Sequence, residues 1–180
     1  MGFNLSEKNS RLLCFAVMVL SILLTRWMPH PWNMTPVTAI ALFAGARAPK
    51  WGLGLGVLLL GMLISDLYLG FYSLLPVTYL SLGLSFYLGR FFLRGEKFSI
   101  VKSAAVGLIG PTQFFLVTNF AVWAMGTGYP KTMSGLMSSY VMGLPFYQGH
   151  LIGTFVYGAA IMALWSALEQ RVLSPAAVKA

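Results

Sequence analysis

The sequence predicts an all-α integral membrane protein, a single bundle of six transmembrane helices with its N- and C-termini in the cytoplasm. Three observations carry this reading. Apolar residues make up 58% of the 180 residues and charged residues only 9%, whereas a soluble domain uses roughly a quarter charged residues to cover its surface. The apolar residues come in runs close to the ~20 that cross a bilayer. The basic residues sit in short clusters between those runs. The formal net charge of +8 therefore marks membrane loops rather than a nucleic-acid surface. The chain reads as one domain, 1–180. Cys14 is the single cysteine, which rules out an intrachain disulfide.

The first helix is expected at about Leu12–Met28, behind Lys8 and Arg11. It ends in Thr25-Arg26-Trp27 with no small-residue cleavage site, which predicts a retained span rather than a removed signal. The second, about Trp32–Ala48, is closed by Arg47-Ala48-Pro49-Lys50. The third (Trp51–Leu69) and fourth (Leu75–Phe92) are separated by the turn-like stretch from Gly70 to Pro76. The fifth, Ile100–Met125, contains Gly110-Pro111 and should kink there. The sixth is expected at about Gly149–Leu168. Between the last two, Met133, Leu136, Met137, Tyr140 and Val141 recur at helical spacing and form one apolar face. This predicts an amphipathic helix over about 133–143, closed by Pro145, lying in the headgroups or as a lid over the outer face. Small residues four apart, Gly52/Gly56, Ala44/Ala48, Ser81/Ser85 and Ala159/Ala163, are expected to hold the helices together.

With the N-terminus inside, ten of the twelve basic residues fall in cytoplasmic segments and only Arg26 and Lys131 fall outside, as the positive-inside rule requires. Each polar residue then has a depth. Asp66 lies about one turn below the outer surface and Asn119 about two turns or less. Asn33, Thr35 and Thr38 begin the second helix, Thr78 and Tyr79 the fourth, and His150 and Thr154 the sixth, while Arg26 ends the first. Thr112, Asn119 and Trp123 share one stripe of the fifth helix. These positions predict an outward-opening polar cavity faced by Asn119. The alternatives for Asn119 are an interhelical hydrogen bond, and for Asp66 a helix cap or a partnership with Arg26. Trp32 and Tyr129, with the other aromatics at outer helix ends, form either an interfacial belt or a surface for a flat ligand. The expected substrate-binding set is Trp32, Asn33, Thr35, Asp66, Asn119, Trp123, Tyr129 and His150.

No phosphate-binding glycine loop, zinc-protease or nucleophile-elbow motif occurs, so any energy for transport must come from a partner or a gradient. No enzyme activity, catalytic residue, metal or cofactor is expected. Three other readings compete: an accessory membrane subunit without a ligand, an autonomous channel or carrier, and an intramembrane metalloenzyme built on His30, Asp66 and His150, a two-histidine, one-carboxylate set.

Three segments carry a likeness to known proteins: Met28 to Ala46, Ile64 to Phe71, and Phe114 to Phe146. They resemble an uncharacterised bacterial family of small six-helix proteins assigned to transport. That family is similar in length and layout to the S components of energy-coupling-factor (ECF) transporters. The resemblance implies a subunit of the bacterial inner membrane that binds a vitamin-like small solute in an outer pocket. It also implies a transmembrane coupling protein with ATPases as partner. Asn33, Thr35, Asp66, Asn119 and Trp123 are the matching positions. The first helix departs from the S-component pattern, since Leu12 to Leu24 lacks the alanines four apart that dock the coupling protein.

Overall fold

The computed structural model describes residues 7–29, 33–95 and 99–172. These form six helices and no strand: α1 (Glu7–Trp27), α2 (Val37–Arg47), α3 (Trp51–Leu69), α4 (Leu75–Phe92), α5 (Ile100–Met125) and α6 (Met133–Val172). Residues Trp51–Leu69, Ile100–Met125 and Met133–Ala167 are each long and apolar enough to cross a membrane. α3, α4 and α5 begin and end where the sequence predicts.

α2 is shorter than its predicted span. It has 11 residues and is about 16 Å long, against the ~30 Å of a hydrocarbon core. Pro36 precedes it and disfavours helical backbone at Thr35, while Pro49 does the same at Ala48, which is extended. Every residue from Val37 to Ala46 is buried. α2 is therefore the axle of the bundle, with α3, α4, α5 and α6 packed around it.

Its small residues make that possible. A Cβ added at Gly45 would collide with Phe86 O, and one at Gly89 with Leu42 O, so α2 and α4 touch backbone to backbone. On another side, a Cβ at Gly54 of α3 would lie 2.9 Å from Ala44 O. On a third, a Cβ at Gly110 of α5 would lie 3.2 Å from Thr38 Cγ2. Of the predicted small pairs, Ala44/Ala48 and Ser81/Ser85 are buried, but Gly52 and Gly56 face open space and Ala159 is exposed. The packing glycines of α3 are instead Gly54 and Gly61, the latter against Ile22 of α1.

α6 corrects a second expectation. The predicted outer helix and the predicted last span are one continuous helix of 40 residues that runs through Pro145. Its first half also docks by a face turned away from the centre of the one predicted. Gly135 is buried against Pro130, and Ser139 and Gly143 against Asn119 of α5. Tyr140, at the edge of the predicted face, donates to Leu116 O, while Met133, Met137 and Val141 are exposed. α5, as predicted, is one helix that contains Pro111.

Successive helices alternate in direction. α1 and α3 run alongside each other, with Ile22 beside Gly61 and Arg26 beside Asp66. α6 returns along α5, with Gly143 against Asn119 and Phe155 against Gly107. Arg47, Lys50, Arg90, Arg94 and Lys102 thereby gather at one end. Arg26 and Asp66 stand at the other. Ile22, Ile40, Leu58, Leu82 and Phe86 fill the core, while large apolar side chains such as Phe91 (78% exposed) and Val101 (78%) cover the perimeter.

Candidate functional site

The end away from the basic cluster is tied together by one ion pair. Arg26 Nη2 donates to Asp66 Oδ1 at 2.5 Å, and Arg26 Nη1 to Met62 Sδ at 2.9 Å. The second carboxylate oxygen, Oδ2, accepts from Tyr79 OH at 2.8 Å. The side chain of Asp66 has no exposed surface and that of Arg26 has 16%. α1, α3 and α4 thus share one buried charge network. The sequence-level alternative that pairs Asp66 with Arg26 is the one the structure shows.

Beside this network lies a cavity of about 290 Å³. Arg26 reaches its wall, but Asp66 does not line it. Asn33 and Thr35 enter from the segment before α2. Asn33 has φ 60, a left-handed conformation that asparagine tolerates better than most residues, and Thr35 N donates to Asn33 O at 3.0 Å. Gly153 of α6 lets this segment approach, since a Cβ there would lie 3.1 Å from both Thr35 N and Thr35 O.

The deepest polar contact is between Thr38 Oγ1 and His150 Nε2, 2.6 Å apart and buried. His150 is held on its other sides by Phe114, edge-on at 4.9 Å, and Thr154, whose hydroxyl donates to the His150 carbonyl at 2.9 Å. Tyr72 and Thr78 add hydroxyls from the third-to-fourth connection and α4, and Val37, Leu82 and Phe114 supply the apolar wall. The set offers guanidinium, amide, hydroxyl and imidazole groups against an apolar side. Ligand pockets use such mixtures of an apolar wall with a few polar groups.

Of the predicted site residues, Asn33, Thr35 and His150 line this cavity. Asp66 stands behind it and orients Arg26. Trp32 lies outside the described residues, as does His30. Asn119, Trp123 and Tyr129 are elsewhere. Asn119 Nδ2 donates to Phe115 O at 2.9 Å, one turn back on its own helix, and its Oδ1 faces Gly143 of α6. Trp123 Nε1 donates to Pro130 O at 2.9 Å, and Tyr129 belongs to the connection between α5 and α6. The stripe of Thr112, Asn119 and Trp123 therefore faces the α5–α6 hairpin, where Thr112 meets Tyr147 OH at 2.8 Å.

The polar cavity residues missing from the expected set are Arg26, Thr38, Tyr72 and Thr78. Their signal was depth, because each lies near a helix end on the same side as Asp66. The described residues contain no group of three histidine, cysteine, aspartate or glutamate side chains able to hold a metal. Both oxygens of Asp66 are already occupied.

A buried short helix ringed by longer apolar ones, with a polar cavity at one end, defines an all-helical bundle with helices of membrane-crossing length. The chain belongs to the family described as a family of unknown function (DUF6580), whose model matches residues 6–177. No curated protein and no solved structure matches the sequence.

Proposed function

We propose that this chain is a multi-pass protein of the bacterial inner membrane that binds a vitamin-like small solute, with its basic end in the cytoplasm and its cavity opening outward. The observation that carries the reading is the polar cavity of about 290 Å³ set in a bundle whose perimeter is apolar. Its volume is at the small end of the range for ligand pockets, which suits a small solute rather than a peptide. The apolar perimeter suits lipid, and the basic end suits the cytoplasmic side. The chain carries no nucleotide-binding motif, so uptake needs a separate energising partner. A coupling protein with ATPases, as for S components, is the partner this reading names.

The test is to purify the protein in mild detergent, extract it and identify co-purifying small molecules by mass spectrometry. One solute near unit stoichiometry is expected. Thr38→Val removes the hydroxyl that meets His150 while keeping the side-chain shape, and should lose the solute. A native protein that carries no solute, and that no candidate vitamin protects against thermal unfolding, rules the reading out.

A further inference from the structure

A second void lies at the basic end of the bundle. It measures about 300 Å³ and opens between α2, the start of α5 and the second half of α6. Alanine and glycine form its floor, Ala39 and Ala46 of α2, Ala104 and Gly107 of α5 and Gly158 of α6, while Leu42, Phe43, Phe92, Phe155 and Met162 stand as larger apolar walls. Small residues on three adjacent helices leave a groove where larger side chains would interdigitate. A Cβ added at Gly158 would meet only Ala39 Cβ, at 3.9 Å.

The rim has a different chemistry. Arg47, the last residue of α2, and Lys102, in the first turn of α5, stand there with Ser99 and Ser103, and among the described residues no acidic side chain lines the void. The half-buried Arg47 side chain makes no hydrogen bond or ion pair among the described residues. A guanidinium brings five N–H donors and no acceptor, so it is complementary to an anion. An apolar groove ending in cations matches a molecule with a hydrocarbon chain and an anionic head. Basic pockets between helices on the cytoplasmic side are where anionic headgroups bind.

We propose that this groove binds one anionic phospholipid of the cytoplasmic leaflet, with an acyl chain between α2, α5 and α6 and the phosphate at Arg47 and Lys102. The proposal rests on the membrane reading above and is independent of the solute cavity. A zwitterionic lipid fills the groove equally well but presents no net charge to the rim.

The test titrates detergent-purified protein with phosphatidylglycerol or phosphatidylcholine of the same acyl chains and counts bound lipid by native mass spectrometry. One phosphatidylglycerol should be held about thirtyfold more strongly, the order expected for two cations at a membrane surface. Arg47→Gln should remove most of that preference. Ala104→Trp, which fills the groove and leaves the rim intact, should lose both lipids. Unfolding temperatures of the variants in lipid-free detergent separate loss of the site from loss of the fold, and Arg47→Gln decides where Ala104→Trp does not fold. Equal retention of the two lipids by the native protein, or an unchanged preference in Arg47→Gln, overturns the proposal. So does displacement by glycerol phosphate alone, which would mean a phosphate site without a groove. Release of the native protein from membranes by alkaline carbonate would bring down the membrane reading and this site together, whereas membrane retention without lipid preference would bring down only the site.

Discussion

Asp66 has no exposed surface, and its two oxygens are taken by Arg26 and Tyr79. Such a carboxylate serves first as a counter-charge. Desolvating both ions costs several kcal/mol each, so the pair as a whole adds little stability, but removing one partner strands the other. Asp66→Asn should therefore cost about 3–5 kcal/mol, read as a large drop in unfolding temperature in detergent. The double change Arg26→Met with Asp66→Leu should recover most of it. Equal losses in the single and double variants would mean that the pair does not tie α1 to α3. Asn119 makes the opposite case. Its amide bonds to Phe115 O within its own helix, so Asn119→Ala should cost about 1 kcal/mol or less and leave solute retention unchanged. Lost solute in that variant would return Asn119 to the binding site. The sequence placed both residues toward the helix ends away from the basic cluster, where the structure has them. It could not distinguish them, because depth follows from counting residues whereas partnership depends on which helix lies alongside.

The packing of α2 shows where sequence patterning stops at the level of an element. Spacing finds small residues four apart on one helix, but not the neighbour they meet. Gly52 and Gly56 satisfy the spacing and face open space, whereas Gly45 and Gly89 do not pair by spacing and carry the α2–α4 contact. Gly89→Ala should thus be destabilising by about 1–3 kcal/mol, the usual cost of overpacking, because the collision is with the backbone carbonyl of Leu42 rather than a side chain that can turn away. Gly52→Ala should be neutral or stabilise by up to about 1 kcal/mol, the helix-interior cost of glycine relative to alanine. Thermal unfolding of both variants in the same detergent checks the contrast, and equal behaviour would contradict the packing. The ends of α3 and α5 were legible because Lys50, Gly70, Ser99 and Gly126 flank them as caps, and the start of α4 because it follows the turn-like stretch that closes at Pro76. α6 was not, because Pro145 reads as a stop while the helix continues through it. The face of its first half was misread for a related reason. An apolar stripe marks a direction around the helix, but in apolar surroundings it does not say which flank packs. Where the surroundings are apolar, the small face turns inward, as Gly135, Ser139 and Gly143 do.

The whole molecule follows from one short helix in a set of longer ones. α2 spans about 16 Å, while α3 and α4, which flank it, have 19 and 18 residues. The axle ends before the ring does, and the space beyond Val37 and Thr38 becomes the polar cavity. Charge then gives the two ends different surroundings. Lys50 is exposed at the basic end, and Gly128 is exposed in the connection between α5 and α6, with nothing within 4 Å of a Cβ placed there. On the proposed orientation, Lys50→Cys should react with a membrane-impermeant maleimide only after the cells are permeabilised, and Gly128→Cys in intact cells. The native thiol, Cys14, is 4% exposed and buried in the core, so it contributes little background. The reverse labelling pattern would put the cavity on the cytoplasmic side and exclude capture of a solute from outside. Labelling of both positions in intact cells would place both connections on one side of the membrane, which the alternating helix directions do not allow in a bundle that crosses it.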